Sequence, residues 1–218
     1  MEIGKYIDHT NLKMDATSKD IAKLCHEAIE YGFENVCVNP CYVALAKDML
    51  KDTNIGVCTV VGFPLGATTP KVKSYEAIEA CENGADEIDM VINVGALKDK
   101  DYDFIKKEIE EVRDCIDGKV LKVIIETSLL EDEEIIKMTE ICNETFVNFI
   151  KTNTGFGKRG VSPHDVKLIS KYKDDILEIK ASGGITTFKQ MDELIKAGAT
   201  RIGTSHSVDI VTHMKEEK

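Results

Sequence analysis

Three ionisable side chains, Asp89, Lys151 and Lys180, interrupt segments that are otherwise rich in β-branched and apolar residues. In a strand, successive side chains point to opposite faces of the sheet. If the apolar residues of EIDMVIN face one side, Asp89 faces the other, and the same alternation places Lys151 with Phe149 and turns Lys180 away from Ile179. When an amine and a carboxylate lie in contact, the amine can attack a carbonyl and the carboxylate can transfer protons. The alternative is that each is a buried charge held by a structural partner.

The chemistry typical of such a set is covalent catalysis through a lysine Schiff base. A lysine amine attacks a carbonyl only when it is unprotonated, whereas the reference pKa of its ammonium is about 10.4. Partial desolvation and a nearby second ammonium both favour the neutral form. We predict that Lys180 supplies this second charge to Lys151, assisted by Lys122, and that Asp89 transfers protons, directly or through a water.

The segments that would position these groups alternate between short β-branched runs and amphipathic helical stretches. Thr17 and Asp20 form a capping pair at the start of the first predicted helix, and Gly32 ends it. Gly32, Gly84 and Gly198 each lie four residues before an apolar strand residue, which indicates a repeated unit. Eight strands are predicted, in KYIDHT, NVCVNP, VCTVVGFP, EIDMVIN, LKVIIET, VNFIKTN, LEIKASGG and TRIGTS.

Eight βα units in a chain of 218 residues favour a single α/β domain over residues 1–218, closed into a parallel (β/α)₈ TIM barrel. An open doubly wound sheet is the alternative, although no GxGxxG follows the first strand. Catalytic groups of TIM barrels gather at the carboxyl ends of the strands, where Lys151 and Lys180 fall. The same alternation turns Asp8, Lys122 and Glu126 into the barrel.

Two glycine-containing loops at the end of the chain predict a phosphate site. SGGITT precedes a helix that begins with a predicted capping box, and IGTSHS occupies the equivalent position after the last strand. Glycines let backbone amides approach an anion at a helix N-terminus, and TIM barrels commonly bind phosphate after strands 7 and 8. The basic TNTGFGKRG loop either adds mobile cations or is a solvated turn. The predicted cradle consists of Gly183, Gly184, Gly203, Thr204 and Ser205.

Composition narrows the class of partner. The net charge is -11, from 28 basic and 39 acidic residues, so the surface repels nucleic acid and anionic membranes. The seven cysteines form no CxxC motif, which predicts reduced thiols in a cytosolic protein. The N-terminal segment lacks an apolar signal region, and no run approaches the ~18 apolar residues of a membrane span. We therefore predict a cytoplasmic protein that is neither secreted nor membrane-spanning.

Six segments, in order, resemble those of the deoxyribose-phosphate aldolase family: IDHT, EIDMVIN, LKVIIET, FIKTNTGFG, KASGGI and RIGTS. The resemblance extends from about residue 5 to about residue 210, and FIKTNTG and EIDMVIN are its most specific parts. It implies a lyase that reversibly cleaves 2-deoxy-D-ribose 5-phosphate to D-glyceraldehyde 3-phosphate and acetaldehyde, with no metal or other cofactor. By position, Lys151 would form the Schiff base, Lys180 would perturb its protonation, and Asp89 would transfer protons.

The resemblance also implies a homo-oligomer, a dimer or a tetramer, and further residues lining the pocket. Two departures from the family pattern concern substrate affinity. The chain reads GTSHS where members usually read GTSSG, so His206 and Ser207 replace part of that motif, and its end lacks the tyrosine that some members place over the site. The additional substrate-binding residues implied are Asp8, Lys122, Thr154 and Gly155, with Thr152 and Cys37 near them, although Cys37 could equally be a packed core thiol.

Three other functions remain open at this stage. A zinc aldolase would need clustered ligands, but the five histidines show no metal-ligand spacing. A transaldolase-like Schiff-base enzyme would act on a different sugar phosphate. A barrel that only binds a phosphorylated metabolite would form no covalent adduct with an aldehyde.

Overall fold

A closed parallel barrel of eight strands, each hydrogen-bonded to its neighbours in sequence order, forms the centre of the molecule. The computed structural model describes residues 3–214. The predicted (β/α)₈ architecture is confirmed, whereas the single domain over residues 1–218 stays a prediction. The strands are β1 Ile7–Asn11, β2 Asn35–Val38, β3 Gly56–Val61, β4 Glu87–Val91, β5 Val120–Ile124, β6 Phe149–Lys151, β7 Glu178–Ser182 and β8 Arg201–Thr204.

Helices surround the barrel, and at least one follows each strand. Short 3-10 turns occupy Ile3–Tyr6, Pro40–Tyr42 and Thr127–Leu129. No helix within residues 3–214 is both long and apolar enough to cross a membrane. The α-helices are α1 Ser18–Tyr31, α2 Val43–Leu50, α3 Pro70–Glu82, α4 Val94–Lys98, α5 Tyr102–Cys115, α6 Asp132–Glu144, α7 Pro163–Tyr172, α8 Phe188–Ala197 and α9 Ser207–His213.

Capping residues define where the helices begin and end. Thr17 and Asp20 form a reciprocal capping box at the start of α1, as the sequence predicted, and Thr187 forms one with Gln190 at α8. Gly32 ends α1 with φ 67°, a left-handed conformation that costs glycine little. These local signals therefore set where α1 begins and ends and where α8 begins.

The apolar core lies between the strands and the helices. Ile88, Met90 and Ile92 of the β4 segment are fully buried in this layer, which is the outward face that alternation predicted for them. Packing of the helices against the outer face of the strands removes apolar area from water all round the barrel. The hydrophobic effect of this burial is the main contribution to the stability of the fold. A second and much smaller apolar group lies inside the barrel and includes Cys37 and Cys58.

Strand register brings the chemically interesting residues side by side. Asp89 pairs with Lys122 across β4 and β5, and Lys151 pairs with Lys180 across β6 and β7. Neighbouring strands lie about 4.8 Å apart, so paired residues on the inner face are in contact range. Phe149 also faces inward, since Lys122 Nζ lies 6.0 Å from the centre of its ring. The inward orientation predicted for Phe149 and Lys151 is therefore confirmed.

A buried ion pair outside the barrel ties α3 and α5 to the end of β4. Lys73 Nζ lies 2.6 Å from Glu108 Oε1, and both side chains are completely buried. The same ammonium donates to the Val91 carbonyl at 2.7 Å, while the Asn93 amide donates to the second oxygen of Glu108. The pair therefore holds the loop that follows the strand carrying Asp89.

We predict that Glu108→Gln lowers the free energy of unfolding by about 3–5 kcal/mol, because it leaves the Lys73 ammonium buried without its counter-charge. Urea unfolding of the variant and the wild type measures the difference. Asp192→Asn is the matched control, since its pair with Lys196 is exposed and should contribute at most about 1 kcal/mol. Equal losses in the two variants would contradict a structural role for the buried pair.

Candidate active site

The barrel interior contains a cluster of seven ionisable side chains contributed by six of the eight strands. Four members are cationic and three are carboxylates, so the cluster carries one more cation than anion when all are ionised. Isolated charges are costly to bury, and each member of the cluster has an oppositely charged partner within 4.0 Å. The members are Asp8, Glu87, Asp89, Lys122, Lys151, Lys180 and Arg201.

Asp89 is the centre of the upper part of this cluster. Its Oδ2 accepts hydrogen bonds from Lys151 Nζ at 2.9 Å and from Lys180 Nζ at 2.7 Å. Its Oδ1 accepts from Lys122 Nζ at 2.7 Å and lies 3.2 Å from Cys58 Sγ. Because Lys151 and Lys180 share one carboxylate oxygen, their nitrogens are neighbours. The juxtaposition of these two amines with Asp89, predicted from strand alternation, is what the structure shows.

The lower part of the cluster consists of Asp8, Glu87 and Arg201. Asp8 Oδ2 lies 2.5 Å from Lys180 Nζ, and Asp8 Oδ1 accepts from the Arg201 guanidinium at 2.8 Å. Glu87 lies 2.5 Å from Lys122 Nζ and also contacts Arg201. Each of the two deep lysines therefore bridges a lower carboxylate and Asp89, which fixes the position of the upper layer.

This arrangement determines the charge of Asp89 and of Lys180 at neutral pH. Burial by itself raises the pKa of the Asp89 carboxyl, but Lys122, Lys151 and Lys180 outweigh it and hold the pKa well below its usual range. Burial by itself lowers the pKa of Lys180, but Asp8 and Asp89 outweigh it and raise the pKa above its usual range. Asp89 is therefore a carboxylate and Lys180 an ammonium.

A cavity of about 500 Å³ opens above the cluster at the carboxyl ends of β1, β6, β7 and β8. Lys151 is the cluster member that lines it, whereas Asp89 and Lys180 lie beneath its floor. The residues predicted for the phosphate cradle and the loop after β6 form its walls. These wall residues are Thr154, Gly155, Gly183, Gly184, Gly203, Thr204 and Ser205.

Two residues that the resemblance assigned to substrate binding do not line this cavity. Asp8 and Lys122 are both 0% exposed and are paired within the cluster. A molecule in the cavity does not contact them, so the structure assigns them a supporting position below the site. Cys37 is likewise fully buried, beside Cys58, which agrees with the interpretation as a packed core thiol.

The loop after β7 needs glycine for conformational reasons. Gly183 and Gly184 have φ values of 97° and 75°, where side chains are strained. A Cβ on Gly183 would lie 3.1 Å from Asn153 Cβ, and one on Gly184 would lie 3.2 Å from Gly160 Cα. Within residues 3–214, no backbone carbonyl accepts a hydrogen bond from the amide of Gly183 or of Gly184. The two amides are therefore able to donate to an anion in the cavity.

A capping box occupies part of the backbone donors at the start of α8, next to the predicted anion site. The amides of Thr186 and Thr187 donate to Gln190 Oε1, and the Gln190 amide donates to Thr187 Oγ1. These three amides are therefore bonded within the protein, and anion binding at this end of α8 stays a prediction. Among the hydroxyls of the β8 loop, that of Thr204 donates to the Ile185 carbonyl at 2.7 Å, whereas Ser205 is exposed to the cavity.

The basic residues of the TNTGFGKRG loop include a structural arginine. Arg159 pairs with Asp165 at 2.6 Å and donates to the Thr127 carbonyl at 2.9 Å. It therefore holds the loop to the start of α7, and the interpretation as a mobile cation is wrong for this residue. Asp165 also accepts from the Thr127 hydroxyl at 2.9 Å, which completes the connection.

Glu126 is a site residue that the sequence placed inside the barrel without giving it a role. Its carboxylate accepts from Thr154 N at 3.0 Å, Thr154 Oγ1 at 2.6 Å, Asn153 Nδ2 at 2.9 Å and Ser128 Oγ at 2.6 Å. Its backbone has φ 54°, an uncommon conformation for a side chain of this kind. Glu126 thus fixes the loop that directly follows Lys151.

Two groups of potential metal ligands lie inside the barrel, but ammonium groups already neutralise them. One group consists of Cys37, Cys58 and Asp89, and the other of Asp8, Cys58 and Glu87. Lys122 Nζ contacts both Asp89 and Cys58, at 2.7 and 3.2 Å. A metal ion at either position would meet these positive charges at close range. The donor sets therefore fit a metal poorly, and metal independence stays a prediction.

Comparison with known proteins places this site in a family. The family model described as DeoC/LacD family aldolase matches residues 3–210. The chain belongs to the DeoC/LacD aldolase family. The enzyme is accordingly an aldolase, a lyase.

Relatives match along the whole chain. The deoxyribose-phosphate aldolase of Finegoldia magna is 55% identical over 97% of this chain and 99% of its own. That of Thermococcus kodakarensis is 53% identical over 99% and 98%. Among solved structures, "QR15, an Aldolase" superposes with a TM-score of 0.95 at 40% identity, covering 100% and 97%. The tetrameric deoxyribose phosphate aldolase of Aeropyrum pernix reaches 0.91 at 29% identity, covering 98% and 91%.

We predict that Glu126→Gln destabilises the enzyme by about 2 kcal/mol at pH 7, since hydrogen bonds to a charged acceptor are lost or reversed. Burial by itself raises the pKa of Glu126, but the hydrogen bonds from its four donors outweigh burial and lower the pKa in the folded state. The stabilisation that Glu126 contributes is therefore complete at pH values above its unfolded-state pKa of about 4.3. It disappears as the pH falls through the folded-state pKa. Guanidinium unfolding between pH 7 and pH 3 should show the difference from wild type shrinking in acid. The exposed Glu133→Gln serves as control, and a pH-independent difference would refute this account.

Proposed function

We propose that the enzyme is a deoxyribose-phosphate aldolase that reversibly cleaves 2-deoxy-D-ribose 5-phosphate into D-glyceraldehyde 3-phosphate and acetaldehyde through a Schiff base on Lys151. The observation that carries the proposal is the position of Lys151, whose amine lies in the cavity floor, bonded to Asp89 and facing glycine loops suited to a phosphate. Relatives that cover nearly all of this chain carry the name deoxyribose-phosphate aldolase.

The balance of charge inside the barrel supports Lys151 as the nucleophile. With all seven groups ionised, the cluster has one positive charge in excess, so one amine can lose its proton while every carboxylate keeps a cationic partner. Lys122 and Lys180 each bridge two carboxylates at short distance, whereas Lys151 contacts Asp89 alone among them. Lys180 is therefore a positive charge next to the Lys151 amine, and the two share the Asp89 Oδ2 oxygen.

The reaction begins when the neutral Lys151 amine adds to C1 of the open-chain sugar and forms a carbinolamine. Loss of water gives an iminium ion, which draws the electron pair of the C2–C3 bond as that bond breaks. The C3 hydroxyl loses its proton, glyceraldehyde 3-phosphate leaves, and an enamine remains on Lys151. Protonation at C2 and hydrolysis release acetaldehyde and restore the amine.

Asp89 is suited to move the protons of these steps. Its carboxylate is bonded to the reacting nitrogen of Lys151, and the Lys122 and Lys180 ammonium groups keep it ionised, so it can accept a proton and return it to an adjacent group or water. The amides of Gly183 and Gly184 and the hydroxyl of Ser205 would hold the phosphate at the far side of the cavity, and Thr154 and Gly155 would form the wall between the two ends.

We further propose that the enzyme is a cytoplasmic homo-oligomer, a dimer or a tetramer. All seven cysteines are free thiols, which suits a reducing compartment. The Aeropyrum pernix relative is described as a tetramer. The rival functions, a Schiff-base enzyme for another sugar phosphate and a barrel that only binds a metabolite, are separated from the main proposal by the adduct experiment and by substrate comparison.

We predict that borohydride reduction in the presence of acetaldehyde adds one ethyl group to the wild-type chain and none to Lys151→Ala, as measured by intact-protein mass and by peptide mapping. The reduction converts the iminium ion into a stable secondary amine, so the adduct marks the nucleophile. Lys167→Ala, on the exposed face of α7, should label like the wild type. An adduct that persists in Lys151→Ala would refute the assignment, and no adduct in any variant would favour the binding protein.

We predict that Lys180→Met shifts the pH profile of sugar cleavage to higher pH and lowers the rate at pH 7 at least about tenfold. The variant has as many carboxylates as cations in its barrel and lacks the positive charge that shares the Asp89 oxygen with Lys151. Circular dichroism and thermal unfolding establish that the barrel is folded, and Lys167→Met controls for the loss of a lysine. An unchanged profile in a folded, active variant would exclude the role given to Lys180.

A further inference from the structure

His9 lies outside the catalytic cluster and borders the cavity. His9 alternates with the inward-facing Asp8 and Thr10 on β1, so its ring points outward towards α1 and α9. The residue is 3% exposed, and its ring centre lies 5.0 Å from that of Phe33. In the β1 and β8 pairing, His9 stands opposite Thr204, the last residue of β8. It is therefore placed behind the loop that would hold the phosphate.

Both ring nitrogens of His9 are bonded to protein groups. Nε2 lies 2.8 Å from Glu27 Oε2 on α1, and Nδ1 lies 2.9 Å from the hydroxyl of Ser207. The Ser207 hydroxyl in turn donates to the Thr204 carbonyl at 3.1 Å. A continuous hydrogen-bonded chain thus runs from α1 through the imidazole to the backbone of the β8 loop.

Thr204 extends this series of hydrogen bonds to the loop after β7, which contains Gly183 and Gly184. Its hydroxyl donates to the Ile185 carbonyl at 2.7 Å and accepts from the amide of His206 at 3.0 Å. Ile185 directly follows Gly184, which lines the cavity. One set of bonds therefore fixes the spacing between the two loops on which the proposed phosphate site is built.

Counting the hydrogens available to these bonds shows which protonation state of the His9 ring satisfies all of them. A carboxylate only accepts, so Nε2 carries a hydrogen towards Glu27. The single hydroxyl hydrogen of Ser207 is used on the Thr204 carbonyl. All three bonds are therefore satisfied together only when Nδ1 also carries a hydrogen, as in the imidazolium. In the neutral ring Nδ1 is an acceptor, and the hydroxyl hydrogen must turn to it and leave the Thr204 carbonyl.

From this geometry we infer that His9 is a positioning residue for phosphate binding, acting through Ser207 to hold the β8 loop, and that it holds the loop best when protonated. The inference rests on the proposed function, since it takes the two glycine loops as the phosphate site. The charged groups facing the ring are Glu27 and, beyond it, Lys23 on α1, while α9 presents Ser207 and the segment before β2 presents Phe33. Burial lowers the pKa of His9 and outweighs Glu27, which raises it.

Two substitutions of His9 separate positioning from packing. The amide of asparagine can replace Nδ1 and donate to Ser207, whereas the longer glutamine places its amide near Nε2 and reaches Glu27 instead. We expect His9→Gln and Ser207→Ala to raise the KM for 2-deoxy-D-ribose 5-phosphate and the dissociation constant of inorganic phosphate about tenfold. His9→Asn should stay within about threefold of the wild type for both, as expected for the loss or retention of one hydrogen bond to the loop.

The rate of borohydride trapping with acetaldehyde, which carries no phosphate, is measured on the same variants and should change by less than about threefold. In the wild type, the KM for the phosphorylated sugar should rise with pH through the titration of His9. That component should be absent in His9→Asn. The exposed His164→Gln, whose ring pairs with Asp132, controls for the loss of a histidine.

Each result decides the inference. Equal losses in trapping and phosphate affinity would show a merely structural role, and a His9→Asn variant as impaired as His9→Gln would exclude the chain through Ser207. If the wild type cleaves no sugar phosphate, the proposed function fails. Calorimetric binding of inorganic phosphate to the same variants then still tests the loop, because it needs no turnover.

Discussion

One carboxylate shared by three ammonium groups is the interaction on which the site depends. Asp89 accepts from Lys122, Lys151 and Lys180 inside a barrel from which water is largely excluded. Without the carboxylate, three buried cations would repel one another, and without the cations Asp89 would take up a proton. The cluster is therefore stable only as a unit, and Lys151 is the member that reaches the cavity.

The rest of the fold provides what this cluster needs. The apolar layer between strands and helices stabilises the barrel, which allows the interior to be polar. The lower carboxylates Asp8 and Glu87 and the Arg201 guanidinium hold the deep lysines from below. The ion pair of Lys73 and Glu108 secures the end of β4 from outside. Rigid strands thus carry the charged groups, while the loops that follow them form the walls of the cavity.

The walls are ordered by polar side chains that do not themselves need to touch a substrate. Glu126 gathers the loop after β6, Arg159 and Asp165 hold that loop to α7, and His9 supports the β8 loop through Ser207. All three arrangements use a charged or titratable group to hydrogen-bond backbone or hydroxyl groups of the loops. Preorganisation of this kind fixes binding groups before the ligand arrives, so less conformational entropy is lost on binding.

Much of this enzyme is determined by local sequence. The period-2 alternation of EIDMVIN and its counterparts gives the strands and the inward orientation of Asp89, Lys151 and Lys180, and capping pairs such as Thr17 with Asp20 give the helix starts. These properties follow from neighbouring residues alone. The spacing of the units gives the barrel, because eight of them close a parallel sheet. The motif resemblance adds the aldolase chemistry.

Only the tertiary structure decided which polar residues reach the cavity and which support it. Asp8 and Lys122 are as polar as Lys151 in sequence, but depth along the barrel axis, set by strand register, buries them beneath the floor. Thr187 and Gln190 form the predicted capping box, and only the structure shows that this cap engages the Thr186, Thr187 and Gln190 amides beside the predicted anion site. Glu126 bonds to Asn153 and Thr154, 27 and 28 residues away, and His9 bonds to Glu27 and Ser207, 18 and 198 residues away. Such bonds form only when separate elements pack together, and the bond between His9 and Ser207 also needs the β1–β8 pairing that closes the barrel.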